Sequence, residues 1–236
     1  MSSESLNIVV FSGAGMSAES GIQTFRDGDG LWENHNIEDV ATRAAWDRDP
    51  DLVTHFYNER RKGILNATPN NAHILIRQLE EVHTVSIITQ NIDDLHDRVG
   101  SKRVLHLHGN IMLSKSSGPN QEATYYPINK VELNNLDLCP DGYRLRPHVV
   151  WFGEAVPAME EAIDIVQQCD VLIVIGTSLK VYPAASLIDY AISAKIKILI
   201  DPKSSEMEIP PDFLLINKGA SAGMQDVLDK HLPLSF

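Results

Sequence analysis

The feature that most constrains this chain is a set of short, nearly unbroken runs of β-branched and aliphatic residues. They are Leu6–Phe11, Thr84–Thr89, Val104–Leu107, Val171–Ile175 and Ile196–Ile200. Each is far shorter than the ~20 residues of a membrane span. Several are too continuous for a strand with one wet face, so they predict parallel strands buried on both faces. Between them, apolar residues recur at helical spacing over Asp51–Leu65, Asn70–Glu81, Ala158–Gln168 and Ala184–Ala194. Pro50, Pro69, Pro157 and Pro183 sit near the starts of these segments, where a missing N–H costs nothing. Alternating strands and helices predict an α/β fold, a doubly wound Rossmann-like parallel sheet. Ligands in such sheets bind outside the carboxyl ends of the strands.

Charge and cysteine usage narrow the class further. The 236 residues carry 20 Lys and Arg against 32 Asp and Glu, a formal charge of −12. A polyanion-binding protein carries the opposite balance, so no nucleic-acid partner is expected. No apolar run suggests a membrane partner, and the start, MSSESLNIVVF, lacks the basic region of a secretory signal. The hydrophobic fraction of 43% excludes a disordered chain. The two cysteines, Cys139 and Cys169, are too few for an all-cysteine zinc site or a disulfide framework. A reducing cytoplasm is the expected compartment.

One stretch breaks the rhythm. Residues 111–146 are polar and rich in turn formers, which predicts a small inserted module between the parts of a catalytic domain over 1–110 and 147–236. A helical part of the small unit is also expected from residues 31–66.

The first strand runs into Ser12-Gly13-Ala14-Gly15-Met16-Ser17-Ala18. Strand, G-x-G-x-x-A and helix start together point to a dinucleotide: glycines permit a tight turn and close approach to a pyrophosphate, and a helix N-terminus offers free N–H groups. No acid closes a second strand about twenty residues later, which argues against an ordinary dehydrogenase.

The following residues extend this motif. Gly13-Ala14-Gly15-Met16-Ser17 continues to Gly21-Ile22-Gln23-Thr24-Phe25-Arg26. Thr89-Gln90-Asn91-Ile92-Asp93, Leu107-His108-Gly109, Val149–Glu154 and Gly176-Thr177-Ser178-Leu179 come later in the same order as in one family. Over roughly residues 8–232 the chain resembles the sirtuins, which couple NAD cleavage to removal of acyl groups from protein lysines.

The resemblance implies the following roles. The acyl-lysine carbonyl oxygen attacks the ribose carbon that bears nicotinamide, and the products are free lysine, nicotinamide and 2′-O-acyl-ADP-ribose. His108 would be the general base on the ribose hydroxyls, a task suited to a group titrating near neutrality. His106 is its rival two residues earlier. Asn91 would order the ribose and Asp93 would accept from the nicotinamide carboxamide; the alternative is capping of a helix starting near Ile92, which one of the two could do as well. Gly13, Ala14, Gly15, Ser17, Ala18, Phe25, Arg26, Trp32, Gln90, Ile92, Gly176, Thr177, Ser178, Asp201 and Ala220 complete the expected NAD site. Asp201 stands where many sirtuins have asparagine, and Gln23 replaces a frequent proline. Val150, Phe152, Gly153 and Glu154 belong to the segment expected to pair with extended substrate peptide.

Tyr57 and Arg60 lie three apart on a predicted helix and so share a face. A phenol beside a guanidinium makes a carboxylate site. The pair resembles the Tyr-x-x-Arg of sirtuins that prefer succinyl, malonyl or glutaryl lysine. Most sirtuins hold a structural zinc with two C-x-x-C pairs; here that region contains Cys139 alone, so no zinc is expected. Packing through Tyr125, Tyr126, Leu133, Leu136 and Leu138 would then hold the module. The expected partners are therefore acylated-lysine proteins or peptides, with the oligomeric state left open. An NAD hydrolase or ADP-ribosyltransferase, or a silent NAD-binding module, are the alternative readings.

Overall fold

The computed structural model describes residues 5–23, 31–32 and 35–232, the pair 31–32 by backbone alone. Its strands are β1 (Asn7–Ser12), β2 (Leu31–Trp32), β3 (His35–Asn36), β4 (Thr84–Thr89), β5 (Val104–His106), β6 (Gly109–Ser116), β7 (Tyr125–Pro127), β8 (Leu145–Val149), β9 (Val171–Ile175), β10 (Ile196–Ile200) and β11 (Phe213–Ile216). The α-helices are α1 (Ile37–Val40), α2 (Arg43–Arg48), α3 (Pro50–Asn66), α4 (Asn71–Leu79), α5 (Leu95–Arg98), α6 (Met159–Gln167) and α7 (Ala220–Lys230).

Six strands form one sheet in the order β11-β10-β9-β1-β4-β5, and every adjacent pair is parallel. Alternate residues point to opposite faces. Ile8 and Val10 of β1 pack with Ile173, Ile198 and the inner sides of α4 and α7. Val9 and Phe11 pack on the other face with Leu172, Val174 and the inner side of α6. Two buried faces are why β9 reads Val-Leu-Ile-Val-Ile without a polar residue. From β1 the chain moves to β4 and β5 on one side, then returns to β9 on the other. The reversal of strand order therefore lies between β1 and β9, where the crevice of an open α/β sheet forms.

A third core joins α1, α2 and α3 to β6 and β8 through Val40, Trp46, Phe56, Tyr57, Ile111, Val149 and Trp151. Asp49 caps α3 by accepting from the Leu52 N–H, with Pro50 in the first turn. Asn70 caps α4 in the same way.

Several expectations need correction. Residues 184–190 form a 3-10 helix, not an α-helix. The polar stretch is not irregular throughout: β6, β7 and β8 build a three-stranded antiparallel sheet. Leu136 and Leu138 are exposed and Tyr125 is partly so; of the apolar residues expected to hold the module only Leu133 is buried. Polar ties do the rest. Asn58 of α3 exchanges two hydrogen bonds with the Leu133 backbone, and Arg61 donates to the carbonyls of Ile128 and Lys130. Lys115 and Arg146 are buried and meet Glu122 and Glu154 at 2.5 and 2.6 Å. No helix among the described residues is long and apolar enough to cross a membrane.

Candidate active site

A cleft of about 550 Å³ runs along the carboxyl ends of the sheet. Its walls carry Gly13, Ala14, Gly15, Ser17 and Ala18 after β1, Gln90, Asn91, Ile92 and Asp93 after β4, and His108 just after β5. Gly176, Thr177 and Ser178 follow β9, Asp201 follows β10, and Ala220 opens α7. Tyr57 and Arg60 of α3 line it too, as do Val150, Phe152, Gly153 and Glu154. Phe25 and Arg26 lie outside the described residues, as does the side chain of Trp32.

The floor is made by two interlocked loops. Gly13 N–H donates to the Ile175 carbonyl at 3.0 Å and Gly15 N–H to the Gly176 carbonyl at 2.8 Å. A Cβ on Gly15 would lie 2.8 Å from the Gly176 Cα, and one on Gly176 would lie 2.2 Å from the Met16 nitrogen. Gly176 also has a φ of 63°, which favours glycine. These glycines let the β1 and β9 loops touch each other. The expected helix start does not follow β1: Ala14–Met16 and Ala18–Ser20 are single 3-10 turns. Open backbone donors come from both loops, since the Ala14, Ala18, Thr177 and Ser178 N–H groups have no partner among the described residues. Gln90 Nε2 donates to Thr177 Oγ1 at 2.9 Å and ties the β4 loop to the same floor.

A polar chain is buried beside that floor. Asn91 Nδ2 donates to Ser17 Oγ at 3.0 Å, and Ser17 Oγ donates to Asp93 Oδ2 at 2.9 Å. Asp93 Oδ1 accepts from the Leu95 N–H at 3.2 Å. Burial pushes the Asp93 carboxyl above its ordinary range, opposed by these two donors. Asp94 precedes α5 without a side-chain cap bond, and Asp93 accepts from the first N–H of that helix, so Asp93 does share a capping role.

His108 Nδ1 faces the Gln90 carbonyl at 3.2 Å. A carbonyl only accepts, so Nδ1 carries the proton and Nε2 keeps its lone pair. Burial lowers the imidazole pKa below its usual value, with the Gln90 carbonyl opposing. The ring is therefore a neutral base at pH 7. His106 instead meets Asp97 at 3.0 Å and does not line the cleft.

The far wall is aromatic and cationic. Tyr57 and Arg60 are 2% and 6% exposed. Trp151 Nε1 donates to the Tyr57 hydroxyl at 3.1 Å. Burial raises the Tyr57 pKa well above that of a free phenol, so the group stays neutral. After β8, the Val150 and Phe152 N–H groups are already bonded, to the carbonyls of His108 and Ala41. Glu154 accepts from the Trp151 N–H at 2.9 Å and from Arg146 at 2.6 Å, so it braces this segment.

The residues fit a dinucleotide: open N–H donors, a buried acidic side chain at Asp201 and the Ser17-linked Asn91 and Asp93 share one cleft. Among the described residues no cluster of three or more His, Cys, Asp or Glu could hold a metal ion. Cys139 and Cys169 are both free and buried.

A family model described as the Sir2 family matches residues 13–183. The chain belongs to the Sir2 family. A sirtuin relative from Helicobacter pylori named "NAD-dependent protein deacylase" is 48% identical, over 97% of this chain and 99% of its own. One of the same name from Bacteroides thetaiotaomicron is 45% identical over 96% and 98%. A mutant Sir2 homologue in complex with ADP-ribose superposes with a TM-score of 0.86 at 36% identity, covering 97% of this chain and 94% of that one. A Sir2 homologue in complex with NAD gives 0.81 at 37% identity, covering 94% and 88%.

Sequence reading missed some wall residues of this sirtuin. Lys203 follows the β10 terminus, where the carboxyl-end rule could have pointed to it. Glu19 Oε1 accepts from the Ser221 N–H at the start of α7, a pairing across most of the chain that no local pattern signals. Ile64 and Tyr182 also line the cleft.

Proposed function

We propose that this protein is an NAD-dependent protein-lysine deacylase that favours acidic acyl groups, succinyl, malonyl or glutaryl, over acetyl. Membership of the Sir2 family and the names of its relatives support the deacylase part. The observation that carries the acyl preference is the buried phenol and guanidinium of Tyr57 and Arg60 in the cleft that also holds His108. A carboxylate on the acyl chain would be held there by charge-assisted hydrogen bonds.

When bound, NAD supplies a ribose carbon whose bond to nicotinamide is cleaved. The Thr177 and Ser178 N–H groups would hold phosphate oxygens. Asp201 would accept from ribose hydroxyls. Asn91 and Asp93, linked by Ser17, hold the nicotinamide end. His108 Nε2 takes a proton from a ribose hydroxyl. The remaining open groups of the Val150–Glu154 segment, such as the Gly153 N–H, hold the substrate backbone. On this reading residues 111–146 form a zinc-free module.

Mass spectrometry of acetyl-, succinyl-, malonyl- and glutaryl-lysine peptides, with and without NAD, tests the proposal. The expected result is NAD-dependent loss of the acyl mass, fastest for the acidic groups, with one 2′-O-acyl-ADP-ribose per turnover. Nicotinamide release without an acylated peptide would favour an NAD hydrolase and overturn it.

A further inference from the structure

Resting on the acidic-acyl reading above, we infer that Trp151 is a positioning residue that sets how Tyr57 presents its hydroxyl to the acyl carboxylate. An indole N–H donates and cannot accept. Its bond at 3.1 Å therefore uses a lone pair of the Tyr57 oxygen and makes the phenol the accepting partner on that side. The phenolic proton is then the group that Tyr57 contributes elsewhere. A carboxylate needs donors, and a neutral phenol so oriented is one.

Trp151 is itself clamped. The Arg146 guanidinium lies 3.9 Å from the centre of its ring, and Arg146 is fully buried. Glu154 holds both ends of this clamp, with one oxygen 2.6 Å from Arg146 and the other 2.9 Å from the Trp151 backbone nitrogen. Trp46 packs on Trp151 with ring centres 5.7 Å apart. The indole thus has a fixed ring plane and a fixed N–H direction. Arg146 lies in β8, so the small antiparallel sheet reaches the indole of the acyl wall through this side chain. Specificity for the acyl head is set by the phenol and guanidinium of α3, and the direction of the phenol is set from the β8 side.

The test compares kcat/KM for succinyl-lysine and acetyl-lysine peptides in wild type, Trp151→Phe, Tyr57→Phe and the double variant. Phenylalanine keeps an aromatic ring against Arg146 and removes the N–H. The expected result is a succinyl-to-acetyl ratio about tenfold lower in Trp151→Phe, the worth of a well-placed hydrogen bond. The loss should sit in KM for the succinyl peptide. The double variant should be no worse than Tyr57→Phe alone, because both remove one arrangement. A wild type without preference for succinyl overturns the acidic-acyl reading and this inference with it. A wild type with the preference, retained in Trp151→Phe, overturns only the role of Trp151. Multiplicative losses in the double variant also overturn it. A readout independent of folding of the Trp151 variant is the indole N–H spectrum of ¹⁵N-tryptophan protein, which has three such groups. Tyr57→Phe should move one of the three resonances, and no movement refutes the bond.

Discussion

Ser17 donates its hydroxyl proton to Asp93 at 2.9 Å, across 76 positions of sequence, and receives a hydrogen bond from Asn91 on its other side. The serine is 1% exposed, so no solvent water replaces it in that chain. It holds together the two polar residues assigned to the nicotinamide end of NAD.

Removing that link predicts a loss specific to the cofactor. Ser17→Ala leaves the Asp93 carboxylate with one donor fewer in a buried site, which costs about 1–3 kcal/mol where it matters. We expect kcat/KM for NAD to fall by about tenfold or more, with the main sheet intact by circular dichroism. Unchanged NAD kinetics would remove Ser17 from the machinery.

Charge at the acyl wall predicts a shift of preference. Arg60→Met keeps the length of the buried side chain and deletes the guanidinium. The succinyl-to-acetyl ratio of kcat/KM should drop by about tenfold or more, the scale of a charge-assisted hydrogen bond. Peptide assays on both acyl types measure it. An equal loss on both would sink the pocket assignment.

Two histidines predict different pH behaviour. His108 must be neutral to accept a proton, and its pKa lies below the ordinary value because of burial. The acid limb of the kcat/KM profile should therefore fall below pH ~6.5, the free imidazole value. His73 is fully buried on α4, and burial lowers its pKa to about 4. The unfolded chain then takes up this proton before the folded one does. Stability should be fully present above pH ~6.5 and decline towards pH 4 by ~1.4 kcal/mol per pH unit for such a proton. Urea melts across that window on wild type and His73→Gln would show a shallower slope in the variant.

The small module predicts a salt-bridge dependence in place of a metal dependence. Purified protein should carry well under one zinc per chain, and a strong chelator should leave its melting temperature unchanged. Arg146→Met should lower stability by about 3–5 kcal/mol, because it strands the Glu154 carboxylate. Near-stoichiometric zinc would refute the zinc-free reading.

The sheet was legible because β1, β4, β9 and β10 each hold consecutive buried apolar residues that alternate between its two faces. β11 was not, since Leu214 and Leu215 are partly exposed at the sheet edge and its apolar stretch is short. The small antiparallel sheet was hidden for the opposite reason: its β6 ends in Ser-Lys-Ser, and Lys115 is buried only because Glu122 meets it. At the site, ordered motifs brought distant residues to one cleft. The glycines were half legible: the motif put Gly13 and Gly15 at the cleft, while their close contact with Gly176 lies outside any local window. His106 and His108 could be ranked by motif alone, while Asp97 and the Gln90 carbonyl are what separate them physically.

The interlock of the Gly15 and Gly176 loops has a consequence for the order of synthesis. A ribosome releases the amino terminus first, at ~5–20 residues per second, so β1 emerges roughly ten to thirty seconds before β9. Until β9 arrives, β4 is the one strand that can pair with the central strand β1, and the cleft has half a floor. An unfinished chain can thus assemble α3, α4 and β4 while having no competent place for a nucleotide.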